Sequence, residues 1–145
     1  MKISTRGRYA LRLLLELATK AEGEYTSLKD VSGRQGISVK YLEQITGSLS
    51  KSGMIKSARG AQGGYRLARK PEEYTVGDIL RVTEGSLAPV ACLEEGAEEC
   101  QRKELCSTID LWKGLEKVIS DYLDGITLAD LVEKDKAKTG WEYMI

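Results

Sequence analysis

The sequence predicts a mainly α chain, a winged helix-turn-helix followed by a long C-terminal helix, and three observations carry that reading. Helical periodicity recurs in three segments before residue 54, the last two joined through Gly36, Ile37 and Ser38. A glycine-rich basic stretch, ARGAQGGYR, lies between two short extended runs and reads as a hairpin wing. The net charge of the 145 residues is zero, yet residues 1–81 carry 15 Lys+Arg against 8 Asp+Glu and residues 82–145 carry 7 against 14. A basic front and an acidic rear suit a polyanion-binding half joined to a half with another task.

Ser4 or Thr5 caps a first helix through about Ala21, on which Leu11, Leu14, Leu15 and Ala18 form one apolar face. GEYTS ends it. Ser27 and Asp30 make a capping-box pattern for a short helix from about Leu28 to Gln35. Gly36 can take the left-handed conformation that stops this helix, Ile37 anchors the turn, and Ser38 caps a third helix ending at Gly53. Met54 to Ala58 and Tyr65 to Ala68 are the arms of the hairpin, and Pro71 closes the segment.

Thr75 and Asp78 form a second box, for a helix through Glu84 with Val76, Ile79, Leu80 and Thr83 facing inward. Ser107 and Asp110 repeat the pattern at the start of the long helix, which Gly125 stops. Its Leu111, Leu115, Val118, Ile119 and Tyr122 form a stripe together with Trp112, which would serve a partner chain or an intrachain core equally well. Thr127 and Asp130 start a last short helix, ADLVEK, and the tail TGWEYMI is apolar enough to dock. The expected units are a winged helix-turn-helix over residues 1–84, a cysteine-bearing loop over 85–106, and a helix with its tail over 107–145.

Several function classes fall away. The longest apolar run, around Leu13 to Leu15, is too short for a bilayer, and Arg12 and Glu16 break the pattern an export signal needs. No membrane partner is expected, and the expected compartment is the cytoplasm. Three cysteines cannot pair completely within one chain, and such thiols stay reduced there. No Gly-Lys-Ser/Thr closes the glycine loop, which argues against a nucleotide site, and no catalytic base is evident among residues that include no histidine. The expectation is a non-enzyme without a small-molecule substrate.

In a winged helix-turn-helix the third helix enters the major groove with its N-terminal residues at the base edges, here Val39, Lys40, Tyr41, Glu43 and Gln44, and the capping Ser38 joins the DNA-binding set. Gln44 can pair with adenine and Glu43 can accept from cytosine, whereas Lys40 and Lys51 suit phosphates. Arg59, with Gln62 beside it, stands near the tip of the wing, where an arginine can enter a minor groove. Arg6, Arg8 and Tyr9 add phosphate contacts. The plainer alternative makes SVKYLEQITGSL an ordinary amphipathic helix with Tyr41, Leu42 and Ile45 in the core.

Cys92, Cys100 and Cys106 are separated by seven and five residues, matching neither paired zinc knuckles nor ferredoxin spacings. Glu94, Glu95, Glu98, Glu99 and Glu104 face only Arg102 and Lys103 in this stretch, which disfavours a reactive thiolate. A soft metal centre would itself deprotonate the thiols. Zinc held by three thiolates and a carboxylate, buried structural thiols and an adventitious disulfide are the alternatives.

MKISTRGRYALRLLLELA, ISVKYLEQI, ARGAQGGYRLAR and YTVGDILRVTEGSLAPVACL, in this order within residues 1–130, resemble the bacterial winged-helix regulators of the IscR type. Relatives include the nitric-oxide-sensing NsrR and the cysteine-metabolism repressor CymR. The resemblance implies a homodimeric transcriptional regulator whose long helix, from about Ser107 to Asp124, pairs between subunits through Trp112, Leu115, Ile119 and Tyr122. Two recognition helices would then read a palindromic operator on double-stranded DNA. It further implies that Cys92, Cys100 and Cys106 hold an iron-sulfur cluster, expected to be 2Fe-2S, whose occupancy modulates control of cluster-assembly genes.

Two departures from the family pattern concern the fourth ligand. The histidine that IscR places three residues after its third cysteine is Ile109 here, and the carboxylate that NsrR-type proteins carry near the start of the first helix is Arg8. Glu43 is the fourth-ligand candidate, on the view that the recognition helix nears a partner's cysteine loop; Glu104 and Asp110 are closer in sequence. The alternatives are a cluster-free repressor of cysteine metabolism acting through a protein partner, and a nitric-oxide-sensing repressor.

Overall fold

The computed structural model describes residues 2–144, with side chains through residue 139. Among the described residues the order is α1 (Thr5–Ala18), α2 (Leu28–Gln35), α3 (Val39–Lys51), β1 (Ile55–Ala58), β2 (Gly64–Leu67), α4 (Val76–Glu84), α5 (Ile109–Asp124) and α6 (Leu128–Met144). The chain is mainly α, a winged helix-turn-helix extended by two C-terminal helices.

Hydroxyl caps start most of the helices. Ser4 Oγ accepts from the Gly7 amide at 3.2 Å, Ser27 Oγ from Asp30 at 3.1 Å and Ser38 Oγ from Tyr41 at 3.1 Å. Each bond satisfies one of the amides that the first turn leaves free. Of the two bonds in the Ser27/Asp30 box, only the serine's forms among the described residues, whereas the Thr75/Asp78 box is complete. Gly36 ends α2 with φ 66°, and Ile37 is buried in the turn that follows.

The core joins Ala10, Leu13, Leu14 and Leu17 of α1 to Val31, Leu42, Ile45, Leu49, Ile55, Ile79 and Leu128. The buried face of α1 is therefore rotated from the expected one: Leu14 is at its centre, but Leu11, Leu15 and Ala18 are only half-buried. The cause is that α1 is enclosed by α4, α6 and β2 at once, so it buries more than a single stripe. The helix also ends at Ala18 rather than Ala21. Thr19 turns its hydroxyl back onto the Glu16 carbonyl at 2.7 Å.

In the wing Ile55 pairs with Leu67, Ser57 with Tyr65 and Ala58 with Gly64. Thr26 adds an antiparallel bridge to Tyr65, with both amide-to-carbonyl bonds at 2.9 Å. This closeness explains Gly64: its φ is 144°, and a Cβ there would overlap the Thr26 carbonyl.

A second bridge, between Thr75 and Thr127, ties the start of α4 to the start of α6 through Val76 N to Ile126 O at 2.8 Å and Leu128 N to Tyr74 O at 2.9 Å. Val76, Leu80 and Leu87 form a smaller core, against which Ile119 and Leu123 of α5 pack. Arg81 of α4 grips Asp124 of α5 with two bonds, 2.8 and 3.0 Å. Hydrogen bonding to Asp124 raises the Arg81 pKa, and the same contact holds the Asp124 carboxyl below its ordinary range.

Two expectations about the C-terminal region are corrected. The Ser107/Asp110 box does not form; α5 begins at Ile109, and Thr108 occupies its N-cap with helical backbone angles. The last helix is not short. Thr127 and Asp130 do cap it, at 3.1 and 2.9 Å, but it continues to Met144. Apolar periodicity fades after Lys134, whereas the lysines, alanine and aspartate that follow remain compatible with helix and no proline intervenes. Docking by the tail TGWEYMI lies outside the described side chains. Among the described residues no helix is long and apolar enough to cross a membrane.

Candidate nucleic-acid interface and cysteine cavity

Helix α3 buries Leu42, Ile45 and Leu49, which turns Val39, Lys40, Glu43 and Gln44 outward. Ser38 at its cap and Lys51 in its last turn are exposed as well. Arg59 and Gln62 are exposed in the turn of the wing. Arg8 is exposed and bonds the Thr5 hydroxyl at 3.0 Å, while the Arg6 guanidinium donates to Ser48 Oγ and so ties α1 to α3.

Tyr9 and Tyr41 have a different surrounding from that of free contact residues. Their rings meet edge to face, 5.6 Å apart at 81°, and both pack on the core. The Arg12 guanidinium lies 5.2 Å from the Tyr9 ring. Such an aromatic pair fixes the seat of α3 on α1.

The loop after α4 is anchored by buried Leu87 and carries two short 3-10 turns, Ala91–Leu93 and Lys103–Leu105. It brings Cys92, Cys100 and Cys106 around one cavity of about 620 Å³, which Glu98, Glu99, Glu104, Ile109 and Lys113 also line. All three thiols are free; Cys106 is half-buried and the other two are exposed. Among the described residues, no three His, Cys, Asp or Glu side chains already converge in a metal-holding group. Glu43 and Asp110 are not among the lining residues, whereas Ile109 and Glu104 are. Glu99 is engaged by Lys103 at 3.2 Å.

Cys106 has surroundings that charge counting does not show. Its thiol pKa is lowered, chiefly by the Thr108 hydroxyl, then by the amides of Thr108 and Ile109 and by the charge of Arg102. Hydrogen-bond donors at the start of α5 outweigh the opposing desolvation, a geometry that composition does not reveal.

Helix α5 presents two apolar faces where one stripe was expected. Leu111, Leu115, Val118 and Tyr122 are exposed, at 61, 39, 65 and 67%. Trp112 is half-buried, and Ile119 turns onto its own chain's smaller core. The expected set of Trp112, Leu115, Ile119 and Tyr122 is thus divided between an inner and an outer face.

Residues 3–134 match the model of the Rrf2 family, described as iron-dependent transcriptional regulators. The chain belongs to the Rrf2 family. It is 42% identical over 132 residues to the HTH-type transcriptional regulator IscR of Aliivibrio salmonicida, covering 91% of this chain and 77% of that one. It superposes on the solved structure of CymR, the global cysteine regulator of B. subtilis, with a TM-score of 0.75 and 40% identity over 92% of this chain and 98% of that one. T. potens IscR gives a TM-score of 0.74 and 38% identity, with 95% and 90% covered. This Rrf2 protein is a transcriptional regulator and not an enzyme.

Two structural devices of the Rrf2 chain escaped sequence reasoning. Tyr74 is fully buried, donates to Met54 O at 2.6 Å and accepts from the Ala68 and Arg69 amides at 3.1 Å, so it pins both roots of the wing. Its only sequence signal was a tyrosine between Pro71 and the Thr75 box. The second device holds α2 on α1: Arg12 Nε donates to Gln35 Oε1, and Gln35 Nε2 to Glu16 Oε1, both at 3.0 Å. Arg34 joins Glu16 at 3.0 Å. Arg12 and Glu16, one turn apart, were visible only as interruptions of an apolar face.

Proposed function

We propose that this Rrf2 regulator is a homodimeric, cytoplasmic DNA-binding repressor whose affinity for a palindromic operator responds to an iron-sulfur cluster held by Cys92, Cys100 and Cys106, with cluster-assembly genes as its targets. The observation that carries the reading is that three free thiols line one cavity beside the long helix. Thiolates are the donors that iron-sulfur clusters require, so the donor set fits the group. When bound, a cluster supplies an occupancy and a charge that change with iron and oxidants.

The rest is work for the chain's own residues. Residues 1–84 read DNA: Val39, Glu43 and Gln44 face base edges with Ser38 at the helix cap beside them, Arg59 and Gln62 reach from the wing, and Arg6, Arg8, Lys40 and Lys51 contact phosphates. Tyr9 and Tyr41 seat the recognition helix more than they touch DNA. Residues 85–106 are the sensor loop, and 107–145 the dimerisation arm. The exposed row of Leu111, Leu115, Val118 and Tyr122 suits a second copy of α5, because covering apolar surface contributes about 25 cal/mol per Å² removed from water.

Anaerobic purification followed by an absorption spectrum and iron and sulfide analysis tests the cluster. Iron and sulfide in the wild type, lost on Cys92→Ser, Cys100→Ser or Cys106→Ser, are the expected result. Operator affinity, measured by anisotropy with and without the cluster, should differ and should fall steeply with salt. Lys51→Ala should flatten that salt slope by about 1. A chain without iron or sulfide sinks the reading and favours a second one, which its likeness to CymR supports: a cluster-free regulator of cysteine metabolism acting through a protein partner.

A further inference from the structure

We infer that Thr108 is a positioning residue for the third cysteine, its hydroxyl directed to the Cys106 sulfur in place of capping α5. The inference rests on the cluster reading above and assigns a role to a residue that binds nothing itself. Five helices of this chain begin with a hydroxyl that accepts from an amide three residues on: Ser4, Ser27, Ser38, Thr75 and Thr127. Thr108 stands at the N-cap of α5, and its side chain makes no such bond. Its Oγ1 instead lies 3.6 Å from Cys106 Sγ, within hydrogen-bonding range for sulfur. Ser107, the residue whose spacing to Asp110 matches a box, does not take the cap either.

In the free chain either group can donate in this pair. A ligating thiolate carries no proton, so the threonine must then donate. A hydrogen bond to a ligating sulfur stabilises the more negative, reduced form and raises the midpoint potential. Thr108 is therefore placed to tune this sulfur through a hydrogen bond, as a neutral hydroxyl that need not ligate.

The test compares wild type, T108V and T108S as full chains, loaded anaerobically. Iron, sulfide and visible spectrum are measured first, and midpoint potential second. T108V should load as the wild type does but show a more negative potential, by a several-fold change in the reduction equilibrium, where tenfold is 59 mV for one electron. T108S should restore the wild-type value. Wild-type potential in loaded T108V, or an equal shift in T108S, overturns the inference. If circular dichroism shows that T108V is unfolded, T108A decides by the same criterion. Wild type without iron and sulfide overturns the cluster reading itself, and the role of Thr108 with it.

Discussion

Tyr74→Phe removes one oxygen atom from the centre of the molecule and leaves a ring that is 0% exposed in place. That oxygen donates to the Met54 carbonyl at 2.6 Å and accepts from the Ala68 and Arg69 amides at 3.1 Å. The loss is not three bonds, because the Ala68 amide also reaches the Met54 carbonyl at 3.1 Å and the two keep each other. Arg69 loses the partner of its amide. One net hydrogen bond is worth about 1 kcal/mol and an unpaired amide about 1–3 kcal/mol; because Arg69 is exposed and water can reach it, about 1.5–3 kcal/mol is expected in total. Urea unfolding at one fixed protein concentration measures it, as a lower midpoint at unchanged slope. A loss below about 0.5 kcal/mol, the ordinary scatter of surface changes, would refute the idea that this phenol fastens the wing.

Gly64→Ala should destabilise the chain and release the wing, since a Cβ overlaps the Thr26 carbonyl and φ is 144°; faster amide exchange at Tyr65 and Thr26 is the readout, and unchanged exchange speaks against it. Leu115→Asp, on the outer face of α5, should shift the chain from dimer to monomer in sedimentation at micromolar concentration, while Lys113→Ala should not. The depressed pKa of Asp124 contributes stability that is present above its unfolded value, about pH 4, and is lost as the pH falls through the lower folded value. Asp124→Asn should therefore show a flatter loss of stability than wild type below about pH 4, followed by urea midpoints. Parallel curves would show that the Arg81 contact does not set this part of the acid response.

Local chemistry made much of the fold legible. Ser27, Ser38 and Thr75 announced their helices because a hydroxyl three residues before an amide is a bond within one turn, and Gly36 announced a left-handed stop. What stayed hidden depends on contacts between distant residues. Periodicity placed a stripe on α5 but could not show that Ile119 belongs to a core with Val76 and Leu80 while Tyr122 faces outward. The cysteines were legible as a set, and their meeting around one cavity was not, because the loop that folds them has no period. Thr108 was hidden for a different reason: the sequence offers a better capping pattern at Ser107, and the chain does not use it. A local rule set aside beside a candidate ligand is where function is expected to override propensity.

Helix α4 connects the irregular cysteine loop to the elements that hold α3, the helix proposed to read DNA. Its first turn is bridged to Thr127, Arg81 in its body grips Asp124, and its last residue, Glu84, accepts from the Ser4 amide and hydroxyl at 3.2 and 2.6 Å. Gly7 and Gly77 make these approaches possible, since a Cβ at either would overlap Glu84 or Asp124. The cysteine loop leaves from the end of this helix and returns into α5, and α1 carries Tyr9 and Arg6 against α3. Every step between the loop and α3 is thus a covalent link or a packed or hydrogen-bonded contact. The Arg81–Asp124 grip joins α5 to α4, and the bonds of Glu84 to Ser4 join α4 to the start of α1.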